Sequence, residues 1–333
     1  MHLAFRTLAA TAVVALGLAG FGCSKKSAAG LDAADGGAVG TKITLALNWV
    51  PEPEFGGFYE ARQSGAYLRQ GFDVDIRGGG AGVPVVQMVA TGRADFGITG
   101  GDELVTARSR GADLVAVFAA FQTSPQGIMV HASRGLTSLA QAFQSGTLAV
   151  EPGLPYAAYL KTKFPWDGVQ IVPYDGGVAR FLADPTFGQQ CYVTSEPIAA
   201  RQKGGDPQVF LIADAGYNPY TTVVVTRREL AVQKPEMVAA FVAATAEGWR
   251  RYLANPRATN ELLQKLNPAM DAATLAAAAE AERPLVENEA TARDGIGSMV
   301  VDRWQKLGEQ LAALKVVDAP PRAADMFVAA ARK

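Results

Sequence analysis

Short β-branched runs alternate with stretches of helical periodicity along most of this 333-residue chain, and such an alternation folds as strands covered by helices. KITLALNW reads as a strand, residues 54–70 as a helix, FDVDIR as a strand, 84–91 as a helix, ADFGIT as a strand, 102–110 as a helix and DLVAVFAAF as a strand. That order predicts a parallel α/β layer. After QTSPQG a second series begins: IMVHA, a helix over 136–144, TLAVE, a helix from Pro155, VQIVPY, a helix from Gly176, QQCYVT, a helix from Pro197 and QVFLIA. YTTVVVT then returns the chain, and residues 234–333 are almost entirely helical and alanine-rich. The expected fold is therefore α/β with two lobes, a central cleft, a hinge and a helical C-terminal region. Lobe one would hold residues 42–121 and 227–333, lobe two 127–215, and the hinge crossings 122–126 and 216–226.

Special residues cluster where such a fold binds ligands, beyond the carboxyl ends of its strands. GGGAGVP, GGDE, EPGLPY and TSEP each follow a strand and open a helix, so several helix N-termini and their unpaired N–H groups should converge on one cleft. Asn48 and Trp49 lie just past the first strand, where a side chain can project into that cleft. Phe58 reads as core, whereas Phe55 and Tyr59 are candidates for the mouth. Gly56 and Gly57 are poor helix-interior residues, so the backbone there must approach either a ligand or the neighbouring strand. Asp102 follows Gly101 and reads as the N-cap of the third helix, a role compatible with ligand contact, while Glu103 suits the first helical turn. Glu196 precedes Pro197, a first-turn proline, so it stands at or beside an N-cap that Ser195 or Thr194 can occupy instead. Tyr192 and Thr194, two apart, share a strand face, with Cys191 opposite. Tyr156, Asp175, Gln122, Tyr217, Asn218 and Tyr220 are secondary candidates, each equally open to a structural reading.

Charge and composition narrow the classes. The net charge of −1 comes with no Lys/Arg cluster interleaved with aromatics, which sets nucleic acid aside as a partner. GGGAG fails as a dinucleotide fingerprint because Val83 stands where the third glycine belongs. No Walker motif, metal-ligand spacing or Ser–His–Asp set is visible, so the sequence suggests neither metal nor cofactor nor enzyme. Residues 1–22 carry a single Arg6 and an apolar run before Cys23, the pattern of a secretory signal. That segment resembles a bacterial lipobox, although Gly20 stands where an aliphatic residue is usual; the resemblance implies that Cys23 is acylated and becomes the mature N-terminus. Residues 23–41, small and polar, would then be a flexible tether. Cys191 would be a buried small hydrophobe.

LNWVPEPEFGGFYEARQSGAYLRQGFDVDI, VATGRADFGITGGDELVTARSRGADLVAV and YVTSEPIAARQKG together resemble the periplasmic substrate-binding proteins of ABC importers in the nitrate, sulfonate and thiamine-precursor group. The nearest likeness is to the branch that binds a formylated aminopyrimidine or riboflavin, and it covers about residues 42–251. The resemblance implies a monomeric receptor of the type II periplasmic-binding-protein fold, held at the membrane in the periplasm or cell envelope. It would close on a small molecule and deliver it to a membrane permease and its ATPase. By the same resemblance Trp49 and Tyr192 are stacking walls for a flat ring, and Glu196 is the carboxylate that grips its edge. A pyrimidine-synthesising enzyme of the same superfamily uses a cysteine-rich motif, a His and a Lys-bound pyridoxal. Beyond residue 22 this chain has His131 alone, and past Cys23 only Cys191.

Overall fold

The computed structural model describes residues 40–328 apart from Pro152. The expected signal segment 1–22, Cys23 and the tether as far as residue 39 lie outside the described residues. Ten strands form two five-stranded sheets. The first holds β1 (Thr41–Ala46), β2 (Phe72–Arg77), β3 (Phe96–Thr99) and β4 (Leu114–Phe121), and the second β5 (Gln126–His131), β6 (Thr147–Val150), β7 (Gln170–Pro173), β8 (Phe187–Tyr192) and β9 (Pro207–Leu211). The chain then returns as β10 (Thr221–Arg227), giving the orders β2-β1-β3-β10-β4 and β7-β6-β8-β5-β9.

Neither sheet is wholly parallel. β10 runs antiparallel to β3 and β4, and β5 runs antiparallel to β8 and β9. Both exceptions have one cause. β4 and β9 end at the cleft, and the chain crosses directly to the other lobe, so the strand that follows starts at the edge where its neighbours finish. Residues 216–226 are accordingly not all hinge, since β10 is a strand of the first sheet and the second crossing spans about 212–220.

Burial explains the strand patterns. Both β2 and β4 are edge strands, yet all eight residues of β4 are buried, because Gly297 and the segment Met326–Val328 bond along its free side, whereas β2 alternates buried and exposed. Thirteen helices cover the sheets among the described residues: α1 (Gly56–Gln63), α2 (Ala66–Arg69), α3 (Val85–Ala90), α4 (Gly101–Ser109), α5 (Pro155–Lys163), α6 (Ala179–Ala183), α7 (Glu196–Gln202), α8 (Arg228–Gln233), α9 (Pro235–Ala254), α10 (Arg257–Leu266), α11 (Ala272–Val286), α12 (Glu289–Asp294) and α13 (Val301–Ala313). The helix expected over 54–70 is interrupted: Pro53–Phe55 forms a 3-10 turn, and Gly65, at φ +74°, separates α1 from α2. The helix expected over 136–144 is a 3-10 turn at Leu139–Phe143.

The glycine pair at the start of α1 meets α9. A Cβ on Gly57 would lie 2.3 Å from the Trp249 ring, and one on Gly56 would lie 2.2 Å from the Tyr252 ring. The close approach is thus helix to helix, and neither a ligand nor a strand requires it. Phe58, Phe121 and Trp249 meet edge-on above this contact, with centroids 5.8–6.0 Å from Trp249, and anchor the larger core of lobe one.

Candidate functional site

β1, β3 and β4 end at one edge of the first sheet, and β6 and β8 end at one edge of the second. From β1 the chain runs through Asn48 and Trp49 to the Pro53–Phe55 turn. Gly79 allows the loop after β2 to lie on this exit, since a Cβ there would sit 2.1 Å from the Leu47 carbonyl. Trp49 remains 43% exposed, an unusual position for an indole, while the Asn48 side-chain oxygen is buried without a hydrogen-bond partner.

At the end of β3 the expected N-cap is displaced. Gly100 occupies that position, and the Glu103 carboxylate accepts from its N–H at 3.0 Å and from the Thr99 hydroxyl. Asp102 instead lies inside α4. One oxygen accepts from the Glu103 N–H at 3.0 Å and the other from the Tyr217 hydroxyl at 3.1 Å, which ties the second crossing to lobe one. Burial first and Glu103 second push the Asp102 carboxyl up from its ordinary value.

In lobe two, Ser195 is the N-cap of α7 by position but makes no side-chain cap bond. Glu196 reaches back over the turn, accepting from the Tyr192 N–H at 2.8 Å and from the Tyr174 hydroxyl. Its carboxylate is therefore oriented from both ends, with lone pairs left for a further donor. Tyr192 is half-buried at the end of β8, paired with Gln126. Burial raises its phenol well above the ordinary value, and the charges acting on it in addition are Glu54, Asp102 and Glu103 of lobe one and Glu196 of lobe two.

Other expected residues have partners of their own. Phe55 is wholly buried in the core of lobe one, and Tyr59 borders a hollow shared with Arg62, Ala258 and Glu261. Gly101 packs on the return crossing, its N–H donating to the Tyr220 carbonyl at 2.8 Å. The Gln122 side chain donates to the Ala119 and Ser298 carbonyls, at 3.0 and 3.1 Å. Tyr156 is buried with its hydroxyl on Gln190, Tyr217 stacks near Tyr159, and Thr194 is buried. A separate apolar hollow beside α5 and β7, bordered by Leu154, Trp166 and Ile171, shares none of the expected site residues.

Four residues that the sequence reading did not single out belong to the same place. Glu52 and Glu54 flank Pro53 in the loop that carries Trp49, Tyr174 holds Glu196, and Glu282 lies on α11, which packs against both the Pro53–Phe55 turn and α7. Burial, then the charge of Glu196, pushes Glu52 up to about 7 despite a hydrogen bond from Trp49. Burial, then Glu52 and Glu196, pushes Glu54 up to about 8. Burial also holds Glu282 far above the usual carboxylate range, with Glu54 and Glu52 adding to it. The charges acting on these three are carboxylates, so the junction of the lobes offers aromatic faces and hydrogen-bond acceptors. Among the described residues no group of three or more His, Cys, Asp or Glu is placed to hold a metal ion.

His131 is fully engaged by Asp206 and the Phe181 carbonyl, both at 2.7 Å, and stacks on Phe181. Cys191 is a buried free thiol whose proton affinity burial raises. Neither is positioned as a base or nucleophile at this junction.

Known proteins resemble this chain in sequence and in fold. The family model described as NMT1/THI5 like matches residues 52–259. The riboflavin-binding protein RibY of Chloroflexus aurantiacus is 24% identical over 84% of this chain and 82% of its own. A formylaminopyrimidine-binding protein of Halalkalibacterium halodurans is 25% identical over 86% and 89%. A protein of Legionella pneumophila named 4-amino-5-hydroxymethyl-2-methylpyrimidine phosphate synthase is 22% identical over 84% and 88%. In structure, the periplasmic aliphatic sulphonate binding protein SsuA of Escherichia coli superposes with a TM-score of 0.67 at 15% identity, covering 88% of this chain and 93% of that one. That likeness establishes the periplasmic-binding-protein fold.

Proposed function

The chain belongs to the NMT1/THI5-like family, and from that premise we propose that it is the solute-binding component of an ABC importer. It captures a small flat nitrogen heterocycle between its lobes in the periplasm or cell envelope and delivers it to a membrane permease and ATPase. Cys23 acylation would keep it at the membrane. In this reading the Trp49 indole and the Tyr192 phenol supply the two faces, and Glu196 grips ring N–H groups at the edge. Closure follows from the two crossings, because a ligand that contacts both lobes favours the state in which they meet.

The observation that carries this reading is that α11 packs against both the Pro53–Phe55 turn that follows Trp49 and α7, whose first residue Glu196 accepts from the Tyr192 N–H at 2.8 Å. Aromatic surface and acceptors from both lobes therefore share one junction. The engagement of His131 and the burial of Cys191 argue for binding without turnover, against the alternative of pyrimidine chemistry raised by the relative named as a synthase.

Calorimetry and thermal shift with formylaminopyrimidine and riboflavin test the reading, with chromatography of the recovered ligand. At about 100-fold excess over Kd, a true ligand should stabilise the fold by about 2.7 kcal/mol. The ligand should be recovered unchanged, and Trp49→Ala should weaken its binding. No stabilisation by any flat heterocycle, or conversion of the recovered compound, would overturn the proposal.

A further inference from the structure

Glu282 is an odd residue for its helix. Its neighbours on the buried face of α11 are Leu275, Ala278, Ala279, Leu285 and Val286, as packing against lobe one demands. Glu282 is nonetheless 0% exposed, and both carboxylate oxygens lack a hydrogen-bond partner. Burying such a group without a partner is costly, so a helix that only needed to pack would carry an apolar residue there. Glu60 shows how this chain handles a buried structural glutamate: one oxygen takes Arg251 at 3.2 Å and the other the Thr259 hydroxyl at 2.5 Å.

The charges acting on the orphaned carboxylate are those of Glu54 and Glu52. α11 lies against the Pro53–Phe55 turn on one side and α7, headed by Glu196, on the other. The Asn48 side-chain oxygen, at the same edge of the first sheet, is also buried without a partner. Asn48 and Glu282 thus contribute three orphaned acceptor atoms, and the charges acting on Glu282 are carboxylates. A guest that completes this site must bring donors and positive charge.

Resting on the heterocycle reading above, we propose that Glu282, Glu54 and Glu52 form a subsite for a protonated nitrogen of the ligand, an ammonium or amidinium group projecting from the ring that Trp49 and Tyr192 enclose. The same carboxylates disfavour an anionic arm, so a phosphorylated or sulfonated ring would be rejected. The raised proton affinities of all three fit this arrangement, because burial and neighbouring carboxylates disfavour their ionised forms and a cation beside them would favour those forms.

The test is isothermal titration at pH 7.5 with two probes, 4-amino-2-methylpyrimidine bearing a 5-aminomethyl or a 5-hydroxymethyl arm. Charge-assisted hydrogen bonds to a buried carboxylate predict that the aminomethyl probe binds about tenfold to hundredfold more tightly. Glu282→Gln, which keeps the shape and removes the carboxyl that can ionise against a cation, should bring the ratio of the two affinities to within about threefold, and Glu54→Gln should lower it in the same direction. Equal affinities in the native protein, or an unchanged ratio in Glu282→Gln, would overturn the cation subsite while leaving the heterocycle reading intact. If neither ring binds, the pyrimidine form of the heterocycle reading falls, and benzamidinium then decides the subsite alone. Stabilisation of the native chain but not of Glu282→Gln supports it, and no difference between the two overturns it.

Discussion

Raising the pH of the ligand-free protein from 5 to 8 should destabilise it, opposite to the usual behaviour of paired carboxylates. Glu54 moves from 4.5 to about 8 and Glu52 from 4.5 to about 7 on folding, both chiefly through burial. Between the unfolded and folded values the folded state holds more protons, so stability is complete below about pH 4.5, falls through the window and levels off above about 8. At about 1.4 kcal/mol per unit, Glu54 alone corresponds to a loss on the order of 5 kcal/mol and Glu52 to about 3. Glu52 adds to the rise of Glu54, whereas Glu52 itself is raised by burial and Glu196, so a total of several kcal/mol is expected, with the larger share from Glu54. Asp206 and Asp271, held below the usual carboxylate range by hydrogen bonds, titrate beneath this window. Urea denaturation at fixed ionic strength and pH 5, 6, 7 and 8 measures the slope directly. Glu54→Gln should flatten it by half or more, since it removes the larger of the two titrations. Stability that is level or rising from pH 5 to 8, or a Glu54→Gln profile parallel to the native one, would refute the reasoning.

Arg303 on α13 spans both crossings: it donates to the Gln122 carbonyl on one, to the Asn218 and Pro219 carbonyls at 3.0 and 3.1 Å on the other, and lies 3.9 Å from the Tyr220 ring. Arg303→Ala should cost about 3–5 kcal/mol in denaturant titration, and Arg303→Lys should recover only part, because one ammonium cannot replace the fork. Gly57→Ala drives a methyl into the Trp249 ring and should cost at least about 3 kcal/mol or prevent folding, whereas Gly71→Ala, at φ +77° in open space, should cost about 1 kcal/mol. Tyr174→Phe removes one of the two bonds that orient Glu196; a loss of about 1 kcal/mol in calorimetric unfolding is expected.

The alternating layers were legible because period and strand composition are local properties. Strand direction was not: β5 and β10 are antiparallel because of where the crossings deliver the chain, which no short window records. The break at Gly65 lay in plain view as a glycine inside a helical stretch, but only its φ of +74° turns it into a boundary. Trp49 and Glu196 were singled out by a strand end, a first-turn proline and the family resemblance, and their roles remain proposals. Glu52 and Glu54 stood in the same loop as alternating Pro–Glu, yet their significance depends on α7 and α11 arriving from far along the chain. Glu282 had no local signal at all, since a single glutamate among alanines reads as a solvated helix position. Asp102 was read as the cap because aspartate suits that role, but Gly100 adopts the extended backbone and Glu103 reaches it.

A crystal structure of the chain grown with formylaminopyrimidine or riboflavin tests the central claim, capture of a planar ring at the junction of the two sheets. The account predicts density for the ring between Trp49 and Tyr192, with the Glu196 carboxylate at hydrogen-bond distance from its edge. A ring bound in the hollow beside α5, or a junction that stays filled by its own side chains while ligand binds elsewhere, would contradict it.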